Sequence, residues 1–204
     1  MEKSVILNAL KWKVRQGEKW VVYGPNGAGK STLLSLIYAD NPQAYAHRIY
    51  LFGKRRGTGE SIWDIKRQFG FTSPELHAYF RENPSALNIV MTGLTDTFVL
   101  NRKSSDEEKA FARLLFEYFG LERIMKKPFR HLSTGTQRLL LFMRALIKVP
   151  AVLLLDEPFQ GLDQKDIARS KVLLETVLQK EQTLLFISHY KSEWPSSIEQ
   201  VLEI

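Results

Sequence analysis

The feature that most constrains this chain is the run Gly24-Pro25-Asn26-Gly27-Ala28-Gly29-Lys30-Ser31. Trp20-Val21-Val22-Tyr23 precedes it and reads as a buried strand, and Thr32-Leu33-Leu34-Ser35-Leu36-Ile37 follows as the first turns of a helix. Strand, glycine loop and helix in that order are the context that a G-x-x-x-x-G-K-[ST] phosphate loop requires. Glycines let successive backbone N–H groups turn inward onto phosphate oxygens, and the helix N-terminus adds its positive end. Lys30 brings a full charge toward the β- and γ-phosphates, and Ser31 offers a hydroxyl to Mg²⁺, a cation that takes oxygen ligands and keeps part of its water shell. A glycine-rich turn holding no ligand is the plain alternative, and the flanking strand and helix argue against it.

A second apolar run, Val152-Leu153-Leu154-Leu155, ends in Asp156-Glu157-Pro158. Uniformly apolar runs suit parallel strands covered on both faces, and ligands of open α/β sheets gather at strand C-termini. Asp156 is placed to hold Mg²⁺, directly or through water, and Glu157 to orient and deprotonate an attacking water. Ser188-His189 follows the next buried run, Thr183-Leu184-Leu185-Phe186-Ile187, so His189 is expected at the same sheet edge, near a γ-phosphate or the water. Ser133 opens a helix expected from about 136 to 148; it serves either as an ordinary N-cap or, with the free N–H groups beyond it, as another anion site. Two phosphate-binding devices on one chain, in different parts of it, suggest that the second serves a nucleotide held by another copy.

Strand and helix alternate in a way that predicts an α/β fold with a mostly parallel sheet. Residues 9–15 alternate apolar and basic and read as a half-buried strand turned back by Gln16-Gly17-Glu18. Further strands are expected over 48–53 and 68–72, with a short helix over 62–68 in which Trp63 is packed. From 74 to 149 the pattern is helical, with a helix over 106–119 capped by Ser105, so a helical subdomain is expected to interrupt a core of 1–73 and 150–204. A covering helix is expected over 164–180.

At 204 residues the chain holds about one domain. It has no apolar run near the roughly 20 residues that cross a bilayer. Its opening Met1-Glu2-Lys3-Ser4 is polar, and Val5-Ile6-Leu7 is too short for a signal peptide. Cysteine is absent, which excludes disulfides and thiolate metal sites and fits a reducing compartment. A cytoplasmic location follows as the expectation, with any membrane role reached through a separate partner. The net charge of +7 admits nucleic acid as a partner, but Lys54-Arg55-Arg56 and the weaker cluster Lys126, Lys127 and Arg130 are read as solvated surface without interleaved aromatics.

Together these motifs resemble those of the ATP-binding cassette (ABC) ATPases, and the likeness covers nearly the whole chain. Residues 24–31 resemble the Walker A loop, 132–137 the LSGGQ signature, 152–157 Walker B, Gly161-Leu162-Asp163 the D-loop and Ser188-His189 the switch histidine. Within the family, residues 51–65 resemble one cassette of the ModF/PhrA type, soluble tandem ATPases named for molybdate transport and photorepair. The resemblance implies a P-loop NTPase core with N-terminal antiparallel strands and an inserted helical subdomain. It also implies a head-to-tail dimer with ATP and Mg²⁺ between two cassettes, either two copies or a fused tandem. Gly24, Pro25, Asn26, Gly27, Ala28, Gly29, Lys30, Ser31 and Thr32 would hold nucleotide. Ser31 and Asp156 would hold metal, Glu157 and His189 would act in catalysis, and Ser133, Gly135, Gln137 and Asp163 would reach the partner's nucleotide.

Three departures accompany the likeness. Thr134 and Thr136 stand where glycines are common in the signature, and no glutamine stands near Pro74, where the family's Q-loop places one. The aromatic that stacks on adenine would fall at or before Met1, as in a fragment of a longer protein. The missing glutamine favours a soluble ATPase acting on a macromolecule over a subunit driving a membrane permease.

Overall fold

The computed structural model describes residues 10–38, 41–80, 82–99 and 102–204. Strand β1 (Lys19–Tyr23) runs into the glycine loop and helix α1 (Lys30–Ile37) leaves it. A 3₁₀ turn (Pro42–Ala46) leads to two short strands, β2 (Tyr50–Leu51) and β3 (Lys54–Arg55), then helix α2 (Ile62–Lys66) and strand β4 (Phe69–Thr72). Helices α3 (Ala86–Met91), α4 (Asp106–Phe119) and α5 (Thr134–Leu146) follow, joined through 3₁₀ turns. Strand β5 (Val152–Asp156), helix α6 (Gln164–Val177) and strands β6 (Thr183–Ile187) and β7 (Gln200–Glu203) close the order.

Five strands form one sheet in the order β4-β5-β6-β1-β7, every neighbouring pair parallel. Its apolar runs are explained by covering on both faces. Leu153, Leu155, Leu184 and Phe186 point into a core shared with α3, α4, α5 and α6. Their neighbours Leu154, Leu185 and Ile187 point the other way, onto Leu33 and Leu34 of α1. Helix α5 lies directly on β4 and on the 3₁₀ turn after α3, so closely that a side chain at Gly70 or Gly93 would run into the backbone carbonyls of Ala145 or Arg144. At the same end of α5, the buried Arg144 donates from Nε to Thr92 Oγ1 at 3.0 Å, and Lys148 pairs with the buried Asp96. Desolvation makes such a pair costly to break from one side only.

Several expectations change. Residues 10–15 form no strand, although their alternation survives: Trp12 and Val14 pack on the second core while the basic residues face solvent. The antiparallel pair lies instead at β2 and β3, with Tyr50 opposite Arg55 and Leu51 opposite Lys54, so the strand expected over 48–53 is one arm of a hairpin. Trp63, expected to be packed, is 53% exposed, because α2 is a single turn that buries Ile65 instead. Arg56, expected in solvated surface, is buried. Strand β7, not anticipated, adds an exposed edge beside β1. The expected adenine-stacking position at or before Met1 lies outside the described residues.

Candidate functional site

The strand order brings the C-terminal ends of β1, β5 and β6 side by side, since β6 pairs with both of the others. At the end of β1, Gly29 caps α1 with φ +100, a left-handed conformation that favours glycine. Pro25, Asn26, Gly27 and Ser31 are exposed around the loop, while Ala28 and Thr32 are half-buried. Lys30 is only 6% exposed, and its Nζ donates to the carbonyl oxygens of Gly24 at 2.8 Å and Pro25 at 2.7 Å. Burial lowers its pKa, and the carboxylates of Glu157 and Asp156 work in the opposite direction. Its ammonium is thus folded into its own loop, held by neutral carbonyls that a phosphate oxygen, being charged, would displace.

At the end of β5, Asp156 is buried and its carboxyl is pushed up to about 7. Burial is the main cause, and the charges of Glu157 and Glu75 add to it; a hydrogen bond with the Ser31 hydroxyl and the charge of Lys30 oppose it. Glu157 sits at φ +44, a conformation costing on the order of 1–3 kcal/mol for a residue with a side chain. Its N–H donates to the Ile187 carbonyl at 3.0 Å, and its Oε1 lies 2.5 Å from His189 Nε2. Ser188, buried next to it, donates its hydroxyl to the Glu193 carboxylate and accepts from the Tyr190 N–H at 3.0 Å, which fixes the turn carrying His189.

The remaining expected residues form a second group. Ser133 caps α5, its Oγ accepting from the Thr136 N–H at 3.2 Å and lying 2.8 Å from Thr136 Oγ1. The helix therefore starts at Thr134, two residues before its expected start. A side chain at Gly135 would come within 3.1 Å of the Gly161 carbonyl, which places the 132–137 stretch against the 161–163 loop of the same chain. Asp163 caps α6 by accepting from the Asp166 N–H at 2.7 Å. Gln137 donates from Nε2 to the Leu132 carbonyl at 3.0 Å, so its side chain braces its own loop. Among the described residues no hydrogen bond or ion pair joins this group to the first.

Sequence reasoning missed Glu75. It follows β4 by three positions and acts electrostatically on Asp156. The departure near Pro74 was the available signal, but only the β4–β5 pairing, which sets Thr72 beside Leu155, brings that segment next to Asp156.

A parallel sheet with a glycine cradle at one strand end and an Asp-Glu pair at a nearby one defines a P-loop nucleotide-binding cassette. The chain belongs to the ABC transporter family, whose profile matches residues 7–160. It is 42% identical to the ABC transporter ATP-binding protein ModF of Escherichia coli, over 97% of this chain and 41% of that protein. It is 34% identical to the uncharacterized ABC transporter ATP-binding protein YmeB of Lactococcus lactis, over 94% of this chain and 74% of that protein. It shares its fold with the dimeric structure of the bacterial ABC transporter cassette MJ0796, at TM-score 0.79 and 22% identity over 98% of this chain and 86% of the other. The chain spans about two fifths of the length of ModF and of two yeast relatives. It is an ABC cassette, ModF-like in sequence. No helix among the described residues is long and apolar enough to cross a membrane.

Proposed function

We propose that the chain binds Mg-ATP on residues 24–32 and hydrolyses it at a head-to-tail interface with a second cassette, supplied by another copy or a fused tandem. The observation that carries this reading is the meeting of Lys30, Ser31, Asp156 and the Glu157–His189 pair at one sheet edge. Lys30 exchanges its two carbonyl partners for β- and γ-phosphate oxygens. Ser31 and Asp156, whose side chains lie close enough for the hydroxyl to oppose the rise in the Asp156 pKa, are a hard oxygen pair that would suit Mg²⁺. When bound, the ion neutralises charge on the phosphates and polarises the γ-phosphoryl group. Glu157 takes a proton from the attacking water, and His189 holds the Glu157 carboxylate in place. The water oxygen bonds to the γ-phosphorus as the β–γ bridging bond breaks, giving ADP and phosphate.

On this reading the exposed Ser133 tip, with Gly135, Gln137 and Asp163, faces the partner's triphosphate. Residues 74–149 act as the subdomain that carries it, against a core of 1–73 and 150–204. Turnover then moves the cassettes apart, and its ATP requirement places such a protein in the cytoplasm. Mg²⁺-dependent ATPase activity of the purified chain, lost in Glu157→Gln while ATP still binds, tests this reading. A second reading makes the chain the ATP-binding subunit of a membrane permease for molybdate or another small solute. One feature favours it: the exposed rings of Tyr79, after β4, and Phe98, after α3, stack 5.6 Å apart and offer an apolar step to a partner helix. Co-purification with a membrane protein, abolished by Tyr79→Ser, would decide for it.

A further inference from the structure

The β2–β3 hairpin and its surroundings carry a surface that the ATP site does not use. Residues 41–68 hold Arg48, Lys54, Arg55, Arg56, Lys66 and Arg67 against Glu60 and Asp64, so more than half of the net +7 sits on 28 of 204 residues. Contrary to the expectation that Lys54-Arg55-Arg56 lacks interleaved aromatics, the hairpin folds rings back among these cations. Tyr50 is 63% exposed and pairs across the hairpin with the exposed Arg55. Phe52, at φ +51 in the turn, is 50% exposed. Tyr45 is exposed too, with the Arg56 guanidinium 5.3 Å from its ring centre.

Arg56 is the unusual member. It is 6% exposed, and its Nε and Nη2 reach neither solvent nor an acceptor. These nitrogens share the edge of the guanidinium that meets two oxygens of a phosphate or carboxylate side by side. Buried donors left without acceptors are costly. Arg56 lines a cavity of about 270 Å³ between the hairpin and α2, with Phe52, Lys54, Glu60, Asp64 and Gln68. Asp64 is already engaged, accepting from the Ser61 N–H and hydroxyl and pairing with Arg67 at 3.5 Å.

We propose that this face binds single-stranded nucleic acid, with backbone phosphates on Lys54, Arg55 and Arg56 and bases stacked on Tyr50 and Phe52. Flat rings interleaved with cations are the combination that unpaired bases and their phosphates require. A small oxyanion would make no use of exposed rings, and an anionic lipid surface would call for apolar side chains that insert rather than stack. The surface is independent of the ATP site, so the two readings fail separately.

Fluorescence anisotropy with labelled oligothymidine and oligouridine of about 20 nucleotides, long enough for several stacked bases, tests it. Saturable binding is expected, weakening between about 50 and 200 mM salt with a log–log slope near −0.7 per phosphate contacted. Tyr50→Ala should weaken binding about tenfold, and Arg55→Ala should reduce the slope by about 0.7. Arg56→Lys, which keeps the charge but loses the paired donors, should weaken binding as well. Tyr50→Ala and Arg55→Ala should bind ATP like the parent. The proposal is overturned if neither oligonucleotide binds at low salt, or if Tyr50→Ala binds as tightly as the parent. It is overturned equally if a duplex of the same length binds more tightly than the single strand, or if phosphatidylglycerol vesicles bind and the oligonucleotides do not.

Discussion

The ends of β1, β5 and β6 and the start of α5 are both proposed to face phosphate, yet their local chemistry is opposite. At the strand ends, charges are held under tension: Lys30 is folded onto two carbonyls, Asp156 is held near pKa 7 and Glu157 adopts a left-handed backbone. At the start of α5 every named group is content within its own chain: Ser133 bonds Thr136, Gln137 braces Leu132, and Asp163 caps α6. The contrast supports the proposal above, in which a nucleotide would relieve strain at the first region and the second would contribute only when a partner presents a phosphate to it.

Breaking the first region should have the largest effect. Lys30→Ala removes the ammonium from the loop, and ATP binding measured calorimetrically should vanish; unchanged affinity would place the nucleotide elsewhere. Glu157→Gln leaves the cradle intact, so ATP should bind normally while turnover falls about 10²–10⁴-fold. If that variant turned over at the parent rate, another group would have to be the base.

Asp156 sharpens the contrast through pH. Its folded carboxyl titrates near 7, above the usual carboxylate value, so it keeps its proton where the unfolded chain has lost one. This group therefore lowers the stability of the nucleotide-free protein increasingly from about pH 4 upward, fully above about pH 7. Asp156→Asn should relieve that, raising stability by roughly 1–4 kcal/mol at pH 8 and hardly at pH 4. Equal gains at both values in denaturant titrations would remove the buried-carboxyl argument. The smallest effect belongs to the second region. Ser133→Ala should cost about 1 kcal/mol as a lost helix cap. It should lower turnover without touching ATP affinity of the isolated chain. Should it weaken that affinity as Lys30→Ala does, the two regions would be one site and the comparison would collapse.

The cradle, the acid pair and the capped helix were legible in the sequence because each is a local pattern: a spacing, an apolar run with a charged end, a serine before a helical period. So were β1, β4, β5, β6 and the helices α4, α5 and α6, with ends shifted by no more than three residues. What escaped depends on distant partners. Residues 10–15 have a strand's alternation but no ladder among the described residues, and Trp63 looked like a core residue because a single turn of helix has too little period to show which face is buried. Arg56 resembled its neighbours Lys54 and Arg55, and only the antiparallel register and the cavity beside α2 set it apart. Glu75 gains its place beside Asp156 from a strand pairing across roughly eighty residues of chain, which no local pattern announces.

A crystal structure of the chain with Mg²⁺ and a non-hydrolysable ATP analogue tests the central claim most directly. Lys30 Nζ should leave the carbonyls of Gly24 and Pro25 for phosphate oxygens, with the Ser31 hydroxyl and Asp156 turned toward the ion. An analogue bound elsewhere, with Lys30 still resting on those two carbonyls, would contradict it.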